Sequence, residues 1–472
     1  MLKLFQTNLF HSYTPTTVTK TVLHRTHSPF IITTSIIRMV STTTTTTTTT
    51  VKDMTPMELN QLLQKQHKND PFRKNLKLID ARERHEIESL GRIESASNIP
   101  HKVFTNDIET YSAALNEYEK DSKVVIHCMS GRRSLEVAKH AVSMGFKDVY
   151  NLVGGFKQWS SDELPVLKYN NNHSPWVHTI FEKETETAQY IVTDIETKEA
   201  YIIDPVLDYD PFSASVRPSM AKQILDFIEK HNLNVTKIID THVHADHLSA
   251  AHYLKNKLSS KPEFWMGSKV TQVQEVFSKK YNLPNLKLSK NGDHFDKLVN
   301  ENETWTLGKN IQCMALNTPG HTPACMSYKI GDAAFVGDTL FMPDIGTARC
   351  DFPGGSAEKM YNSIHKMYKD WPNDTRIYVG HDYPPPNSGR SYEVMTLLEA
   401  HKESNKMISE DIPLEKYIEL RNQRDAQLKA PRYIHPSLQT NLRGGLLPNE
   451  EKSTEGDESA GRFFKIPVRW QD

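Results

Sequence analysis

The fold is decided by one short run of sequence, Thr241-His242-Val243-His244-Ala245-Asp246-His247. It follows directly on residues 237–240, whose apolar centre predicts a β-strand. Four of its seven side chains are of the kinds that bind metal ions in proteins: three imidazoles and one carboxylate. Because α/β folds place their chemistry at the carboxyl ends of strands, this run predicts a metal site at the edge of a sheet.

Three more residues of these kinds follow, each just after an apolar run that predicts a strand. They are His321 in Thr318-Pro319-Gly320-His321-Thr322, Asp338 in Val336-Gly337-Asp338-Thr339, and His381 in Val379-Gly380-His381-Asp382. Loops at one edge of a sheet sandwich would bring all seven side chains together. The pattern resembles that of the metallo-β-lactamase superfamily, which implies an αββα sandwich over residues 174–395, followed by a helical and loop-rich extension over 396–472.

Two metal centres fit this residue set. One holds two zinc ions bridged by an Asp, as in glyoxalase II-like thioester hydrolases. The other holds one iron through two His and one Asp, a triad that leaves three positions on Fe(II) open. The seven residues alone do not separate the two, because both branches of the superfamily keep the extra His and Asp residues.

Local similarity favours the iron branch. Residues 241–248, 319–325, 335–341 and 346–352 resemble those of the persulfide dioxygenases and their bacterial β-lactamase-like relatives. The resemblance implies one Fe(II) per chain, held by His242, His321 and Asp338. Four further residues would orient the ligands and position water, namely His244, Asp246, His247 and His381.

Arg349 matches the substrate-contacting arginine of that family. A guanidinium suits the carboxylate of a glutathionyl tail, and a structural salt bridge is the alternative role. Three of the four cysteines, Cys313, Cys325 and Cys350, are predicted to be packing residues.

The first half of the chain predicts a separate α/β domain with a parallel sheet, over residues 55–168. Short apolar strands at 76–79, 124–126 and 149–152 alternate with helices. The loop Cys128-Met129-Ser130-Gly131-Arg132-Arg133-Ser134 joins a strand to the start of a helix. Unpaired N–H groups and the helix dipole make such a loop a cradle for an anion and lower the pKa of a thiol in it.

This loop resembles the active-site loop of single-domain rhodaneses, and residues 80–83, 97–100 and 151–159 match flanking features of that family. The resemblance implies that Cys128 and Arg133 are catalytic, and that Ser130, Gly131 and Arg132 bind the substrate. One departure is Gly91-Arg92-Ile93, where the family often has Gly-His-Ile. The related dual-specificity phosphatases have a loop one residue longer, and a buried packing cysteine is the other alternative.

Composition excludes several classes of protein. The chain has 472 residues, enough for two or three domains, and a net charge of −1 that indicates no nucleic-acid or anionic-membrane partner. No apolar run is long enough to span a membrane. The four cysteines form no CxxC pair, which fits a reducing compartment.

The first fifty residues contain no Asp or Glu, carry Lys3, Lys20, Arg25 and Arg38, and are rich in Ser and Thr. This composition is typical of a mitochondrial transit peptide, so residues 1–50 are predicted to be a transit peptide with a polythreonine run, and the protein to reside in the mitochondrial matrix. Initiation at Met39 would leave a cytosolic form.

Together the two resemblances imply an enzyme of persulfide catabolism. The iron site would oxidise glutathione persulfide with O₂ to sulfite and glutathione. Cys128 would transfer a sulfane sulfur between thiosulfate, sulfite and thiols. A zinc thioester hydrolase and a persulfide-sensing interaction protein are the alternatives. The sequence leaves the oligomeric state open, with a homodimer as one candidate.

Overall fold

The computed structural model describes residues 50–65, 76–167, 173–283, 294–386, 388, 390–451 and 461–468. Nearly all of the predicted transit peptide and polythreonine run lies outside the described residues. From residue 50 onward the chain forms one compact body. It contains the two predicted domains in the predicted order.

The first domain is built on a five-stranded parallel sheet. Its strands are β1 (Lys52–Met54), β2 (Leu76–Asp80), β3 (Ala96–Asn98), β4 (Lys123–His127) and β5 (Asp148–Leu152). They lie in the order β1-β5-β4-β2-β3. The three predicted strands are confirmed, whereas β1 and β3, each three residues long, were not predicted. β1 precedes the residue at which the predicted domain begins.

Helices cover both faces of this sheet. They are α1 (Pro56–Lys65), α2 (Arg84–Leu90), α3 (His101–Asn106), α4 (Ile108–Leu115), α5 (Arg132–Ser143) and α6 (Gly155–Ser161). At the start of α1, Thr55 N donates to Glu58 Oε2 at 2.8 Å and Glu58 N donates to Thr55 Oγ1 at 3.3 Å, which is a reciprocal capping box. Gly145 follows α5 with a φ of +92°, a left-handed conformation that ends helices.

The second domain contains two six-stranded sheets and a small three-stranded one. Its strands are β6 (Trp176–Glu182), β7 (Thr187–Thr193), β8 (Glu199–Ile203), β9 (Val206–Asp210), β10 (Ser215–Arg217), β11 (Asn234–Ile239), β12 (Leu248–Ser249), β13 (Glu263–Gly267), β14 (Lys297–Val299), β15 (Thr304–Leu307), β16 (Ile311–Asn317), β17 (Met326–Ile330), β18 (Ala333–Phe335), β19 (Arg376–Tyr378) and β20 (Met395–Leu397). The large sheets have the orders β14-β13-β11-β8-β7-β6 and β15-β16-β17-β18-β19-β20. The edge strand β20 straddles the predicted end of the domain at residue 395.

The two large sheets pack face to face through a buried aromatic core. Tyr190 of the first sheet lies 5.2 Å from Phe335 of the second between ring centroids, and its hydroxyl donates to Val379 O at 2.5 Å. Tyr201 likewise donates across the interface to Thr306 O at 2.9 Å. Side chains of this kind bury large apolar area and still satisfy their polar ends.

Helices cover the outer faces of the sandwich. They are α7 (Ser219–His231), α8 (Ala251–Lys257), α9 (Val270–Lys280), α10 (Ala357–Asp370), α11 (Leu398–Ser404), α12 (Leu414–Asp425) and α13 (Ile434–Asn441). The first three pack in one apolar core with the first sheet, and α10, α11 and α12 pack in another with the second. The predicted αββα architecture is confirmed. A two-stranded ribbon, β21 (Glu450–Glu451) with β22 (Gly461–Arg462), lies near the end of the chain. Within the described part of the chain, every helix is too short or too polar to span a lipid bilayer.

Buried ion pairs join the two domains. Arg84 of α2 donates from Nη2 to Asp194 Oδ1 at 2.6 Å, and the Asp194 side chain is fully buried. Arg92 pairs with Asp374 at 2.6 Å, again with both side chains buried. Because a buried charge needs its partner, these pairs fix the position of the first domain on the second.

We predict that Arg84→Met lowers the free energy of unfolding by about 3–5 kcal/mol, since it leaves the buried Asp194 carboxylate without its cation. Denaturant-induced unfolding measures the change. Arg424→Met, at an exposed site on α12, should change stability little. Equal effects of the two substitutions would mean that the ion pair does not hold the domains together.

Candidate metal centre and cysteine site

Loops at the ends of four strands carry the seven predicted metal-ligand residues. The run from His242 to His247 follows β11, His321 lies beyond β16, Asp338 lies in a 3₁₀ turn after β18, and His381 lies beyond β19. The turn at Asp338 depends on Gly337, which has a φ of +48° and whose missing Cβ would come within 2.4 Å of Thr241 Oγ1. The strand ends thus bring the predicted residues to one edge of the sandwich.

Three of these residues form a first group that fits one metal ion. His242, His321 and Asp338 each offer a ligand atom, and all three atoms lie within 4.8 Å of one another. Asp338 Oδ2 is 3.9 Å from His242 Nε2 and 3.7 Å from His321 Nε2. His242 Nε2 and Asp338 Oδ1 are buried and have no hydrogen-bond partner among the described residues. Since buried polar atoms are ordinarily paired, this vacancy of partners fits a bound cation.

Hydrogen bonds at Nδ1 hold both imidazoles of this group in the tautomer whose Nε2 lone pair is free to bind a metal ion. His242 Nδ1 lies 3.0 Å from Thr241 Oγ1, whose proton is donated to Asp204 Oδ2 at 2.9 Å. His321 Nδ1 lies 2.8 Å from the carbonyl oxygen of Arg349 and donates to it. Each Nε2 therefore keeps its lone pair. Burial, with His244 next in weight, lowers the pKa of His242 to about 3, so its ring is neutral at physiological pH.

Asp204, the outermost member of this chain of contacts, was not predicted from the sequence. It also accepts a hydrogen bond from Thr241 N at 2.7 Å, so it fixes the backbone at the start of the metal loop. The available signal was its position directly after residues 200–203, an apolar run that predicts a strand, which is the same context that singled out the seven candidate residues. A single carboxylate in that context is too common to assign a role.

The remaining predicted residues form a second group beside the first. His381 Nε2 lies 3.3 Å from Asp246 Oδ2 and 3.4 Å from Asp338 Oδ1. Burial lowers the pKa of His381, but Asp338 and Asp246 outweigh it, so the pKa is raised. His247 Nδ1 lies 3.0 Å from Asp246 Oδ2. The ligand atoms of His244, Asp246 and His247 also lie within 4.8 Å of one another, so these residues could hold a second metal ion.

His244 lies beside the first group, with its ring centroid 4.2 Å from that of His242, but its ligand atoms are not part of that group. Its Nε2 lies 3.0 Å from Asp204 Oδ1, and its ligand atoms group with Asp246 and His247, or with Asp204 and Asp240, rather than with His242. Its Nδ1 is buried without a partner among the described residues. The first group is therefore a set of two imidazoles and one carboxylate.

The C-terminal extension contacts the metal loop, residues 241–249, through hydrogen bonds of Asn441 at the end of α13. The buried side-chain amide donates from Nδ2 to His244 O at 2.9 Å and to His247 O at 2.8 Å, and its Oδ1 accepts from Ser249 N at 2.8 Å. Asn441 was not predicted from the sequence, because an asparagine late in the chain carries no local signal of contact with residues about two hundred positions earlier.

We predict that Asn441→Ala weakens metal binding roughly 10- to 100-fold, as loss of an outer-shell partner typically does. Competition with a chelator measures the affinity. Asn422→Ala, at an exposed site on α12, is the control and should leave it unchanged. A variant with a lower melting temperature but unaltered metal affinity would assign Asn441 a structural role only.

Arg349 lies next to the metal centre, but its guanidinium is occupied. Nε and Nη2 donate to the two oxygens of Asp351, both at 2.6 Å, and Nη1 donates to Lys429 O at 2.6 Å. Its loop is held from α12, where Asp425 accepts from Cys350 N at 2.9 Å and pairs with Arg421 at 2.8 Å. The contact with Asp351 is the salt bridge that was the alternative role for this residue, and these contacts use three of the five N–H groups of the guanidinium.

The cysteine loop of the first domain has the predicted strand-to-helix position. Cys128 follows β4, and its Sγ accepts from Gly131 N at 3.2 Å and lies 3.4 Å from Ser134 Oγ. The one proton of the Ser134 hydroxyl is shared between this sulfur and Asn151 Oδ1, which lies 2.7 Å from the hydroxyl oxygen. Burial disfavours the thiolate, but hydrogen bonds from Ser134 and from the backbone of Ser130 and Gly131 outweigh it, so the pKa of Cys128 is lowered. The loop is built to stabilise an anion on sulfur.

The two arginines of this loop differ in their surroundings. Arg133 forms a bidentate pair with Glu86, with both distances at 2.7 Å, so its charge is partly neutralised within the domain. Arg132 and Ser130 are exposed beside the loop. Ser134, which the sequence analysis quoted without a role, contacts Cys128 directly.

The other cysteines are buried. Burial raises the pKa of Cys325 and of Cys350 to about 12 and raises that of Cys313 further. Thiols of this kind are poor nucleophiles, which agrees with their predicted packing role.

We predict that Ser134→Ala raises the pKa of Cys128 by roughly half a unit to one unit, the worth of one hydrogen bond to the thiolate. The pH at which alkylation by iodoacetamide reaches half its maximal rate should rise accordingly. Ser143→Ala on the same helix removes a hydroxyl that bonds to His140 O and should leave the profile unchanged. An unchanged profile for Ser134→Ala would mean that the backbone alone lowers the pKa.

Comparison with known proteins matches both domains. A family model of the rhodanese-like domain matches residues 58–162. A model of the metallo-beta-lactamase superfamily matches residues 190–262 and 311–381. The two models thus match the two predicted domains separately.

The chain is also similar to several curated proteins. It is 40% identical over 291 residues to Glyoxylase B2 of Dictyostelium discoideum, which covers 61% of this chain and 95% of that protein. It is 37% identical over 368 residues to the beta-lactamase hydrolase-like protein of Xylella fastidiosa (strain Temecula1), which covers 77% and 81%. It is 31% identical over 209 residues to the mitochondrial persulfide dioxygenase ETHE1 of Homo sapiens, which covers 43% and 67%.

Proposed function

This chain belongs to the metallo-β-lactamase superfamily and carries a rhodanese-like domain, and from that premise we propose that it is an iron-dependent persulfide dioxygenase with sulfurtransferase activity. The observation that carries the proposal is the first metal group, in which His242, His321 and Asp338 converge while His244 is bound to Asp204. Two imidazoles and one carboxylate form the facial triad of non-haem Fe(II) oxygenases.

The proposed reaction converts glutathione persulfide, O₂ and water into glutathione, sulfite and two protons. Fe(II) supplies the redox capacity that a reaction with O₂ needs and that Zn²⁺ lacks. The chain's own residues hold the site ready: Thr241 and the Arg349 carbonyl fix the two imidazoles, and burial keeps His242 neutral. The printed name of the human relative, a persulfide dioxygenase, supports this reading.

The proposed role of the first domain is to move sulfane sulfur through Cys128. The Cys128 thiolate attacks the outer sulfur of thiosulfate, the sulfur–sulfur bond breaks, and sulfite leaves with the electron pair while Cys128 becomes a persulfide anion. The hydrogen bonds from Gly131 and Ser134 suit both the thiolate and the persulfide anion. Sulfite is thus common to the two sites, as product of one and as leaving group or acceptor at the other.

A second candidate function is a dinuclear zinc thioester hydrolase. It is favoured by the second metal group, in which His381 lies within 3.4 Å of both Asp246 and Asp338, and by the printed name of the Dictyostelium discoideum relative. Metal analysis of the purified protein separates the two: about one iron per chain supports the dioxygenase, and two zinc ions support the hydrolase.

We further propose that the protein acts in the mitochondrial matrix. The basic, acid-free first fifty residues support this location, as does the printed name of the mitochondrial human relative. Initiation at Met39 would give a second, cytosolic form. For the oligomeric state we propose a homodimer.

We predict that the two activities separate by mutation. Asp338→Ala should lose iron, because the anionic ligand is gone. Its rate of oxygen uptake with glutathione persulfide should fall by at least about a hundredfold, while thiosulfate sulfurtransfer persists. Cys128→Ser should lose thiosulfate sulfurtransfer and keep both its iron and its oxygen uptake. An oxygen electrode, a cyanide-dependent sulfurtransfer assay and metal analysis give the readouts.

Asp370→Ala, an exposed carboxylate at the end of α10, is the matched control for Asp338. Full iron occupancy in Asp338→Ala would show that the ligands were wrongly chosen. A wild-type protein with two zinc ions, thioester hydrolysis and no oxygen uptake would replace the dioxygenase by the hydrolase.

A further inference from the structure

A cavity of about 570 Å³ lies between the two domains. The first domain contributes residues from the start of α2 and from α3, and the second contributes the turns that join β7 to β8 and β15 to β16. Every residue that lines the cavity is polar or charged. The volume lies within the range of small-molecule sites, and walls of this composition suit a charged ligand rather than an apolar one.

Arg84 is the buried cation of this cavity. Its side chain is 7% exposed, and Nη2 donates to Asp194 Oδ1 at 2.6 Å, which fixes the guanidinium in place. Nε lies 3.1 Å from Glu196 Oε1. Nη1 is buried and has no hydrogen-bond partner among the described residues. Because a buried donor without an acceptor is costly, this nitrogen indicates an acceptor that the protein itself does not supply.

Two further carboxylates line the cavity, and each already has a polar partner within the protein. Glu83 Oε1 accepts from Lys102 N at 3.0 Å and lies 3.7 Å from Arg133 Nη1, in the cysteine loop. Glu88 Oε1 lies 3.2 Å from His173 Nε2. These acids are therefore held by other groups and form no ion pair with the ammonium groups of the cavity.

Lys102 and Lys309 supply these ammonium groups, one from each domain. Both side chains are exposed, and over the ranges that the structure describes neither ammonium group has a hydrogen bond or an ion pair. The main chain holds both residues at the cavity: Lys102 N donates to Glu83 Oε1, and Lys309 N donates to Asp194 Oδ2 at 3.1 Å. One fixed guanidinium and two ammonium groups thus border a single polar cavity.

We propose that this cavity binds a small, doubly charged oxyanion through Arg84 Nη1 and the ammonium groups of Lys102 and Lys309. An oxyanion presents several acceptor oxygens, and charge-assisted hydrogen bonds from guanidinium and ammonium groups are the strong ones. The site goes beyond the proposed function and does not depend on it. Under that function the oxyanions at hand are thiosulfate and sulfite, and the cavity adjoins the cysteine loop through the contact between Glu83 and Arg133.

An oxyanion bound there would contact both domains. Arg84 and Lys102 belong to the first domain and Lys309 to the second, so the ligand adds a contact to the ion pairs that already join them. A ligand that binds only the folded protein stabilises it by mass action. Occupancy of the cavity should therefore raise the melting temperature as well as retain the oxyanion at the domain interface.

The test is titration calorimetry of thiosulfate into the full-length, metal-loaded protein with Cys128→Ser, in which sulfur transfer cannot consume the ligand. In that background Lys102→Gln and Lys309→Gln should each weaken binding about three- to tenfold, the effect of losing an exposed, charge-assisted contact. Lys359→Gln, at an exposed site on α10 outside the cavity, is the matched control and should leave the affinity unchanged. Arg84 stays in place, because its replacement would also break the ion pair between the domains.

Parallel titrations with phosphate and acetate define the ligand. Lysine-dependent binding of thiosulfate that is tighter than that of phosphate supports the site and assigns it to sulfur oxyanions, whereas equal affinities support a general site for divalent oxyanions. Acetate that binds as tightly as thiosulfate overturns the requirement for a double charge.

Two results overturn the site itself. One is no measurable binding of thiosulfate. The other is an affinity that both lysine variants leave unchanged and that only Arg132→Ala lowers, since the cysteine loop alone would then bind the anion. Lysine-dependent binding in a protein whose wild type transfers no sulfur supports the cavity and refutes the sulfurtransferase.

Discussion

The second domain is organised around seven polar side chains at one sheet edge, six of them buried and Asp246 half-buried. Polar groups taken out of water are costly unless they are paired. The outer faces of this cluster are paired, through Asp204, the Arg349 carbonyl and the Glu186 carbonyl, which lies 3.0 Å from His381 Nδ1. Inner atoms such as His242 Nε2 are not. This division orients each lone pair inward, and a cation at the centre would complete the pairing.

Support for the metal loops comes from distant parts of the chain. Asn441 binds the loop of His244 and His247 by its amide. Arg421 and Asp425 of α12 hold the segment whose carbonyl fixes His321. The C-terminal extension is therefore part of the metal centre's scaffold, although it contributes no predicted ligand.

The link between the domains has the same physical basis. Arg84 and Arg92 of the first domain reach buried carboxylates of the second. Pairs of this kind tolerate little relative motion, because separating them leaves charges unpaired in a low dielectric. Under the proposed function, a fixed arrangement suits two sites that share sulfite, since the small anion, rather than a moving domain, would carry sulfur between them.

The sequence by itself determined the two domains, the αββα class and the convergence of the seven ligand residues. It could do so because each residue follows a short apolar strand, and strand ends meet at a sheet edge whatever the details of packing. The same local logic placed Cys128 between a strand and a helix start. β1 (Lys-Asp-Met) and β3 (Ala-Ser-Asn) were not predicted, because neither contains an apolar run.

Only the tertiary structure decided which groups touch across long separations in sequence. Asp204, Asn441 and Ser134 were missed because a single carboxylate, amide or hydroxyl has no periodicity to read. Arg349 and Arg133 matched their families' motifs, but the carboxylates that hold them, Asp351 and Glu86, follow from side-chain geometry. Contacts of this kind depend on packing in three dimensions, which no local sequence pattern encodes.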